Sequence, residues 1–576
     1  MKKIVAILLG LVLLGAGTFF ILSRGGKGNE YARYLPKDAV ATLNLIHLDR
    51  VTDTFTSTAL GRFLAKDTMH AVLTEMGGSA SDLAEYDRMF DNVAGVMANP
   101  AFRAVFGQDA TVALLSPDPA ALQAKPLETL RGGLVVVART TVAGALDLFS
   151  RMIKNANISR EVVDELELTK VVIDPGQVLY GYAEGKMVFL AYSPAAIKRC
   201  LVAADKGDQK LSDLDIFKQA LAYWQAIPQD KTYSRLFVNP QSLSQVLAAA
   251  PAPEFRQSAP LLQGVDTVNS MTYAGDQGVE SRARSTYQYE QLHQVVKSAV
   301  DAATNPNPTL FLLQERSLAY NWASSLRPEL ITQALAENSL EYQQVDASLR
   351  GLLGVGLDDL GKAFGPQYGC VLDDIVRAAL FPVPKMTFFV GLRDQALARQ
   401  VVDALRARIA ESGMIKEEHE QVAGQTIYCW PLLPDKDAQP ALAMTDTMLY
   451  LATSKKALRA VLESTAVVDR LPAPVATQLG GPLAERISSA NTGSLVIYPQ
   501  RMSRQTGETL DWLAGILATT KNISISRLNQ EMVRLMRSTE ILAATSGMTR
   551  EQADWSITLR KALPQGEAAT ATAVSR

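Results

Sequence analysis

Cysteine and histidine are the scarce residues of this chain, with three of the first and four of the second among 576. Cys200, Cys370 and Cys429 form no Cys-x-x-Cys pair and lie beside no histidine, which argues against a structural zinc site. They read as small buried hydrophobes, although Cys370 and Cys429, both on strand-like segments of the second half, could also pair. His47, His70, His293 and His419 make no His-Glu-x-x-His or other metal-spaced pair, so no metal ligand is assigned. Charge of one sign is lacking too. A formal charge of -2 and a pI near 6.2 leave no basic footprint for nucleic acid.

Nucleophile signatures are missing as well. The chain has neither Gly-x-Ser-x-Gly nor Ser-x-x-Lys. Gly77-Gly-Ser-Ala-Ser lacks a preceding strand and reads as the start of a helix. Gly354-Val-Gly356 lacks the third glycine of a dinucleotide loop and reads as a turn between helices and a strand. Asp373-Asp374 and Glu417-Glu418 are neighbours whose side chains diverge on any regular element. Lys416 to Glu420 reads as a solvated loop after a helix. No catalytic, cofactor-binding or metal residue is assigned, and no cofactor is expected.

What the chain does have is a repeat. Met187 to Leu201, MVFLAYSPAAIKRCL, returns as Met448 to Leu462, MLYLATSKKALRAVL, about 260 residues later. Both copies read as a buried strand, a serine (Ser193, Ser454) capping a helix, and an apolar helical face. Leu236-Phe-Val-Asn-Pro-Gln returns as Leu495-Val-Ile-Tyr-Pro-Gln at nearly the same offset. Leu134 to Ala138 matches Met386 to Leu392, and Val105 to Ala110 matches Ala363 to Gly369. Helical spacing at Leu146, Phe149 and Ile153 has its counterpart in Leu397, Val401, Leu405 and Ile409.

The expected fold class is α+β: an N-terminal transmembrane helix, then two tandem duplicated halves, each an antiparallel sheet with helices packed on one side. The boundaries follow punctuation. Residues 1–30 hold a signal-anchor helix and spacer, 31–303 the first half, 304–563 the second, opening on a strand at Leu310 to Leu313, and 564–576 a disordered tail. Thr304-Asn-Pro-Asn-Pro-Thr marks the division. Residues 117–127 read as a Pro/Ala-rich loop.

Ile4 to Leu22 is an uncharged apolar run long enough for a bilayer core, preceded by Lys2 and Lys3. An uncleaved anchor is expected; Gly15-Ala16-Gly17 leaves cleavage and secretion as the alternative. The Leu-Pro-x-Asp-Ala opening at Leu35 to Ala39 and Gly356-Leu-Asp-Asp-Leu before Phe364-Gly complete a further pattern. With the anchor, they resemble a bacterial family of membrane-anchored envelope proteins known only as a domain of unknown function. The resemblance implies an inner-membrane, single-pass protein with its body in the periplasm, and carries no catalytic residues.

The functional expectation is a non-catalytic envelope scaffold or binding module. Its partners would be the membrane, through the N-terminal helix, and an envelope protein or a lipid; nucleic acid is not among them. The alternative is binding or transfer of a lipid or other apolar ligand, in a groove backed by Ala/Leu-rich helices such as Leu243 to Ala249 and Leu510 to Ala518 with Trp512. A second alternative, a hydrolase, requires His47, His70 or His419 to meet a serine or carboxylate.

Overall fold

The computed structural model describes residues 31–46, 57–98, 106, 109–140, 157–174, 177–205, 209–275, 277–303, 307–325, 340–378, 381–411, 413, 415–432, 439–464, 470–521 and 524–562. The anchor at Ile4 to Leu22, His47, the Leu146–Ile153 helical stripe, Thr304 and the tail at 564–576 lie outside them. No described helix is long and apolar enough to cross a membrane. The chain is α+β with a large antiparallel sheet, and it divides into two compact units. The first comprises Met1–Lys297, Ala514–Leu535 and Arg550–Ser556; the second comprises Ser298–Leu513, Met536–Thr549 and Ile557–Arg576.

In the first unit the strands are β1 (Ala41–Ile46), β2 (Asp109–Leu114), β3 (Leu134–Arg139), β4 (Asn157–Val163) and β5 (Leu166–Asp174). They continue with β6 (Gln177–Glu184), β7 (Met187–Ala191), β8 (Thr232–Val238), β9 (Val265–Gly275) and β10 (Gly278–Tyr287). Their order is β4-β5-β6-β7-β3-β2-β1-β8-β9-β10, antiparallel at every step. Strand β7, MVFLA, is buried on both faces, as its unbroken apolar run demands.

The helices of this unit include α1 (Lys66–Glu75), α2 (Ala80–Ala98), α3 (Pro119–Ala124), α4 (Pro126–Gly132), α5 (Pro194–Asp205) and α6 (Asp215–Gln225). Helix α5 buries Ala196, Ile197, Cys200 and Ala203, and α6 buries Phe217, Ala220 and Trp224. Both pack on the sheet face that carries Val135, Val137, Phe189 and Phe237. Ser79 begins α2 with a capping box: Asp82 N–H donates to Ser79 Oγ (3.2 Å) and Ser79 N–H to Asp82 Oδ2 (2.8 Å).

The second unit contains β11 (Ala319–Ala323), β12 (Phe364–Ala378), β13 (Phe381–Leu392), β14 (Glu418–Val422) and β15 (Gln425–Cys429). It goes on with β16 (Ala441–Met444), β17 (Met448–Ala452), β18 (Gly493–Ile497), β19 (Thr539–Met548) and β20 (Gln552–Lys561), whose first five residues belong to the first unit. Their order is β14-β15-β16-β17-β13-β12-β11-β18-β19, with β20 pairing β19. Ten added to each strand number of the first unit reproduces this order. The helices include α7 (Leu340–Leu353), α8 (Leu357–Ala363), α9 (Gln395–Glu411), α10 (Lys455–Ser464), α11 (Ala473–Leu479), α12 (Gly481–Ser489) and α13 (Ser526–Arg537), whose first ten residues belong to the first unit.

Three expectations need correction. Helices do not keep to one side of the second sheet. Alternation along β17 sends Met448, Tyr450 and Ala452 into a core with Leu458 and Leu462 of α10, and sends Leu449 to the opposite face. There Val402, Leu405 and Ile409 of α9 cover it, together with Val390. Second, Leu310–Leu312 is a single 3-10 turn, and β11 is the strand that opens the second unit's pairing. Asn307 Oδ1 accepts from the Thr309 N–H (2.9 Å) and hydroxyl (2.8 Å), tightening the backbone just before the apolar run, which is buried without sheet pairing. Third, Glu418 to Glu420 lie in β14 rather than in a loop, each paired across to β15.

Candidate functional site

In the first unit a cleft of about 870 Å³ opens where the repeated stretch turns from β7 into α5. One wall is the segment between β2 and β3; its residues 117–127, expected to be a loop, hold α3 and the start of α4. Asp118 Oδ1 accepts from the Ala121 N–H (2.8 Å) with Pro119 in the first turn of α3, and Pro126 stands likewise in the first turn of α4, there without a side-chain cap. The Asp-Pro and Lys-Pro steps were the signal for these helices. The other wall is Val178 and Tyr180 of β6, then Tyr192, Ser193 and Pro194.

Two arginines shape the cleft and differ in what holds them. Arg199 of α5 is fully engaged: Nη1 donates to the Ser116 carbonyl (2.8 Å) and Nη2 to Asp38 Oδ2 (2.8 Å). Arg131 of α4 stacks on the Tyr192 ring at 4.2 Å and makes no ion pair among the described residues. A guanidinium held by an aromatic face and unpaired with a carboxylate keeps its donors for a ligand. Asp118, Glu128 and Lys125 complete the polar lining, with Lys125 and Glu128 paired at 3.1 Å. Apolar surface comes from Ala121, Ala124, Val178 and Pro194. Among the described residues no histidine or cysteine lines the cleft.

The residues weighed from sequence fall elsewhere. His70 Nε2 does reach a carboxylate, Asp87 Oδ1 at 2.7 Å, between α1 and α2, and Lys66 binds Asp91 nearby at 2.7 Å. Among the described residues only the carboxylate half of a hydrolytic constellation stands there, with no hydroxyl bonded to the ring. His293 Nδ1 accepts from the Val295 N–H (3.3 Å), and His419 sits opposite Tyr428 on β14. Ser454 Oγ accepts from the Ala457 N–H (3.4 Å) as a helix cap; at Ser193 the carbonyl accepts from the Ala196 N–H (3.2 Å). Asp373 accepts from Ser317 Oγ (2.9 Å), and burial pushes its carboxyl above the usual range. Asp374 faces Lys385 at 3.8 Å, and Glu417 takes Arg406 in a two-pronged pair at 2.6 and 3.0 Å. Gly354 takes a positive φ after α7, and Gly356 caps α8. Leu243 to Ala249 is at most half-buried.

All three cysteines are free thiols. Cys370 on β12 and Cys429 on β15 are separated by four strand spacings, about 19 Å, far beyond the reach of a disulfide. Burial in α5 pushes the Cys200 thiol up to about 12 and keeps it from acting as a nucleophile. Among the described residues no group of three His, Cys, Asp or Glu side chains is placed to hold a metal ion.

No protein family matches the chain, and no curated protein matches it. Among solved structures it is similar to crystal form III of TP0453, at 8% identity and a TM-score of 0.22, over 47% of this chain and 86% of that one. A score that low carries no argument about fold or function.

Proposed function

We propose that this chain is a bacterial envelope protein, held in the inner membrane by Ile4 to Leu22, whose periplasmic body is a non-catalytic binding module. The body is a tandem duplication: the repeat offset near 260 residues and the common strand order support that reading together. The observation that carries the binding role is Arg131, stacked on Tyr192 and uncommitted to any described carboxylate, in a cleft with polar and apolar walls. Such a cleft suits a partner that has both an acidic group and apolar surface, either a lipid or an acidic segment of another envelope protein.

The test starts from a chain beginning at Glu30, purified from the periplasm without detergent and analysed by lipid extraction and mass spectrometry. In parallel, a photoreactive amino acid replaces Tyr192 in the full-length protein in cells. A stoichiometric lipid lost on Arg131→Glu makes the module a carrier. A protein crosslink from position 192, lost on the same substitution, makes it a scaffold. A full-length protein found in the cytosolic fraction, or identical profiles with and without Arg131→Glu, would sink the proposal.

A further inference from the structure

On the inner face of the first sheet lies a group that the cleft does not use. Arg235 of β8 is only 4% exposed, and among the described residues its guanidinium has no hydrogen bond and no ion pair. Its one charge contact is the Trp224 ring, 5.9 Å away. The register sets Asn44 of β1 directly opposite it and Met271 of β9 on its other side, with Asn269 diagonal. Directly opposed side chains meet at about 5 Å and diagonal ones at about 7–8 Å, so the three polar groups share one patch.

That patch contains unmet hydrogen-bonding capacity of both kinds. Asn44 Nδ2 donates to Thr111 Oγ1 (3.1 Å) and Asn269 Nδ2 to Thr267 Oγ1 (3.4 Å), while Oδ1 of each is buried and without a donor. Arg235 Nε is buried without an acceptor. Each orphan polar atom is destabilising, and an uncompensated buried cation more so. Burial also lowers the Arg235 pKa from its ordinary value, as a desolvated cation requires.

The second unit shows that the fold does not demand this arrangement. One residue before the matched leucine, where the first unit has Arg235 before Leu236, the second has Ser494 before Leu495. Ser494 Oγ accepts from Asn307 Nδ2 (3.2 Å), and Trp322 stands opposite it where Asn44 stands opposite Arg235. Gly369 and Ala543 occupy the places of Thr111 and Asn269. The second site is thus filled by a large indole, whose N–H is its own unpartnered atom, and holds no buried charge.

We infer that Arg235, Asn44 and Asn269 form a buried recognition site for a small molecule that joins an anionic oxygen to a hydrogen-bond donor. The anionic oxygens take the guanidinium, and N–H or O–H donors serve the two amide oxygens. This is the chemistry shared by α-amino and α-hydroxy carboxylates. The site is separate from the Arg131 cleft, and neither depends on the other.

Glycine, lactate and acetate are the probes, added at matched ionic strength to the full-length protein in detergent micelles and followed by thermal unfolding and calorimetry. Glycine or lactate is expected to raise Tm and to bind at least tenfold more tightly than acetate, which lacks the donor. Arg235→Met and Arg235→Ser, the latter copying the second unit, are each expected to abolish the shift. Without ligand each variant is expected to unfold at a Tm equal to or above that of the parent, because a buried unpaired charge is gone. No shift with any probe means that buried water satisfies these atoms, and overturns the inference. So does a shift that survives in either variant, or a ligand-free Tm well below the parent in both. Because Arg131→Glu leaves this readout untouched, failure here is distinct from failure of the cleft reading.

Discussion

Tyr31 is the residue on which the edge of the first core turns. Its hydroxyl donates to the Asp109 carboxylate, and its ring is 2% exposed at the N-terminal border of the described chain. Burial, with the Asp109 charge beside it, holds the phenol well above its ordinary pKa, so it remains a donor at any physiological pH. Tyr31→Phe leaves the ring and removes the donor, stranding part of a buried carboxylate. A loss of about 1–3 kcal/mol in urea unfolding is expected. Tyr34→Phe, at a hydroxyl that accepts from exposed Arg33, is expected to change stability by less than about 0.5 kcal/mol. Equal effects would mean that Asp109 is satisfied without Tyr31. Punctuation alone set the start of the first half at residue 31; a hydrogen bond across 78 residues leaves no local periodicity from which to read what Tyr31 does there.

Between elements, β14 is tied to α10 by charge. Glu420 meets Lys455 at 3.0 Å and also Arg459, and these two cations hold its carboxyl below the usual range. With the folded pKa depressed, the stabilisation is complete above the unfolded value near 4.3 and is lost as pH falls through the lower folded value. Glu420→Gln removes that dependence. At pH 7 the variant should lose about 0.5–1 kcal/mol, since the pair is partly screened by solvent, and the gap should close toward pH 3. A gap that persists at pH 3 would assign the loss to packing. The strand itself was hidden in sequence because Glu418, His419 and Glu420 are all polar, and an edge strand with a wet face has no apolar alternation to show. The opposite error fell on Leu310 to Leu313, where an unbroken apolar run is equally compatible with a strand and with a buried turn. In α9, by contrast, Leu405 and Ile409 kept their helical spacing and reached the core that it implied.

At the scale of the whole molecule, the repeat made the pairing of segments legible: β3 with β13, β7–α5 with β17–α10, β8 with β18. It could not show where the chain doubles back. Ala514–Leu535 comes late in sequence yet belongs to the first unit. There Glu75 at the end of α1 accepts from the Arg527 N–H at the start of α13 (2.5 Å) and from the Ser524 hydroxyl. Leu528 packs against a small core of Phe63, Leu64, Met69 and Leu73, beside Leu60, Leu83 and Tyr86. A chain ending at Lys297 therefore keeps strands β1 to β10, loses the Arg550–Ser556 segment that meets β10, and strips this satellite core of one side. Its helices α1 and α2 should lose most of their amide-exchange protection, while β3 and β7, buried between neighbouring strands, keep theirs. Glu75→Ala in the full chain should move the same helices in the same direction by about 1–3 kcal/mol, because Arg527 N–H and Ser524 lose their acceptor. If α1 and α2 stay protected in the chain ending at Lys297, residues 31–297 suffice for the first unit and the returning segment is only a passenger. If they open while the sheet holds, the first unit is closed by residues made last, and it cannot be complete until the second half of the chain has been synthesised.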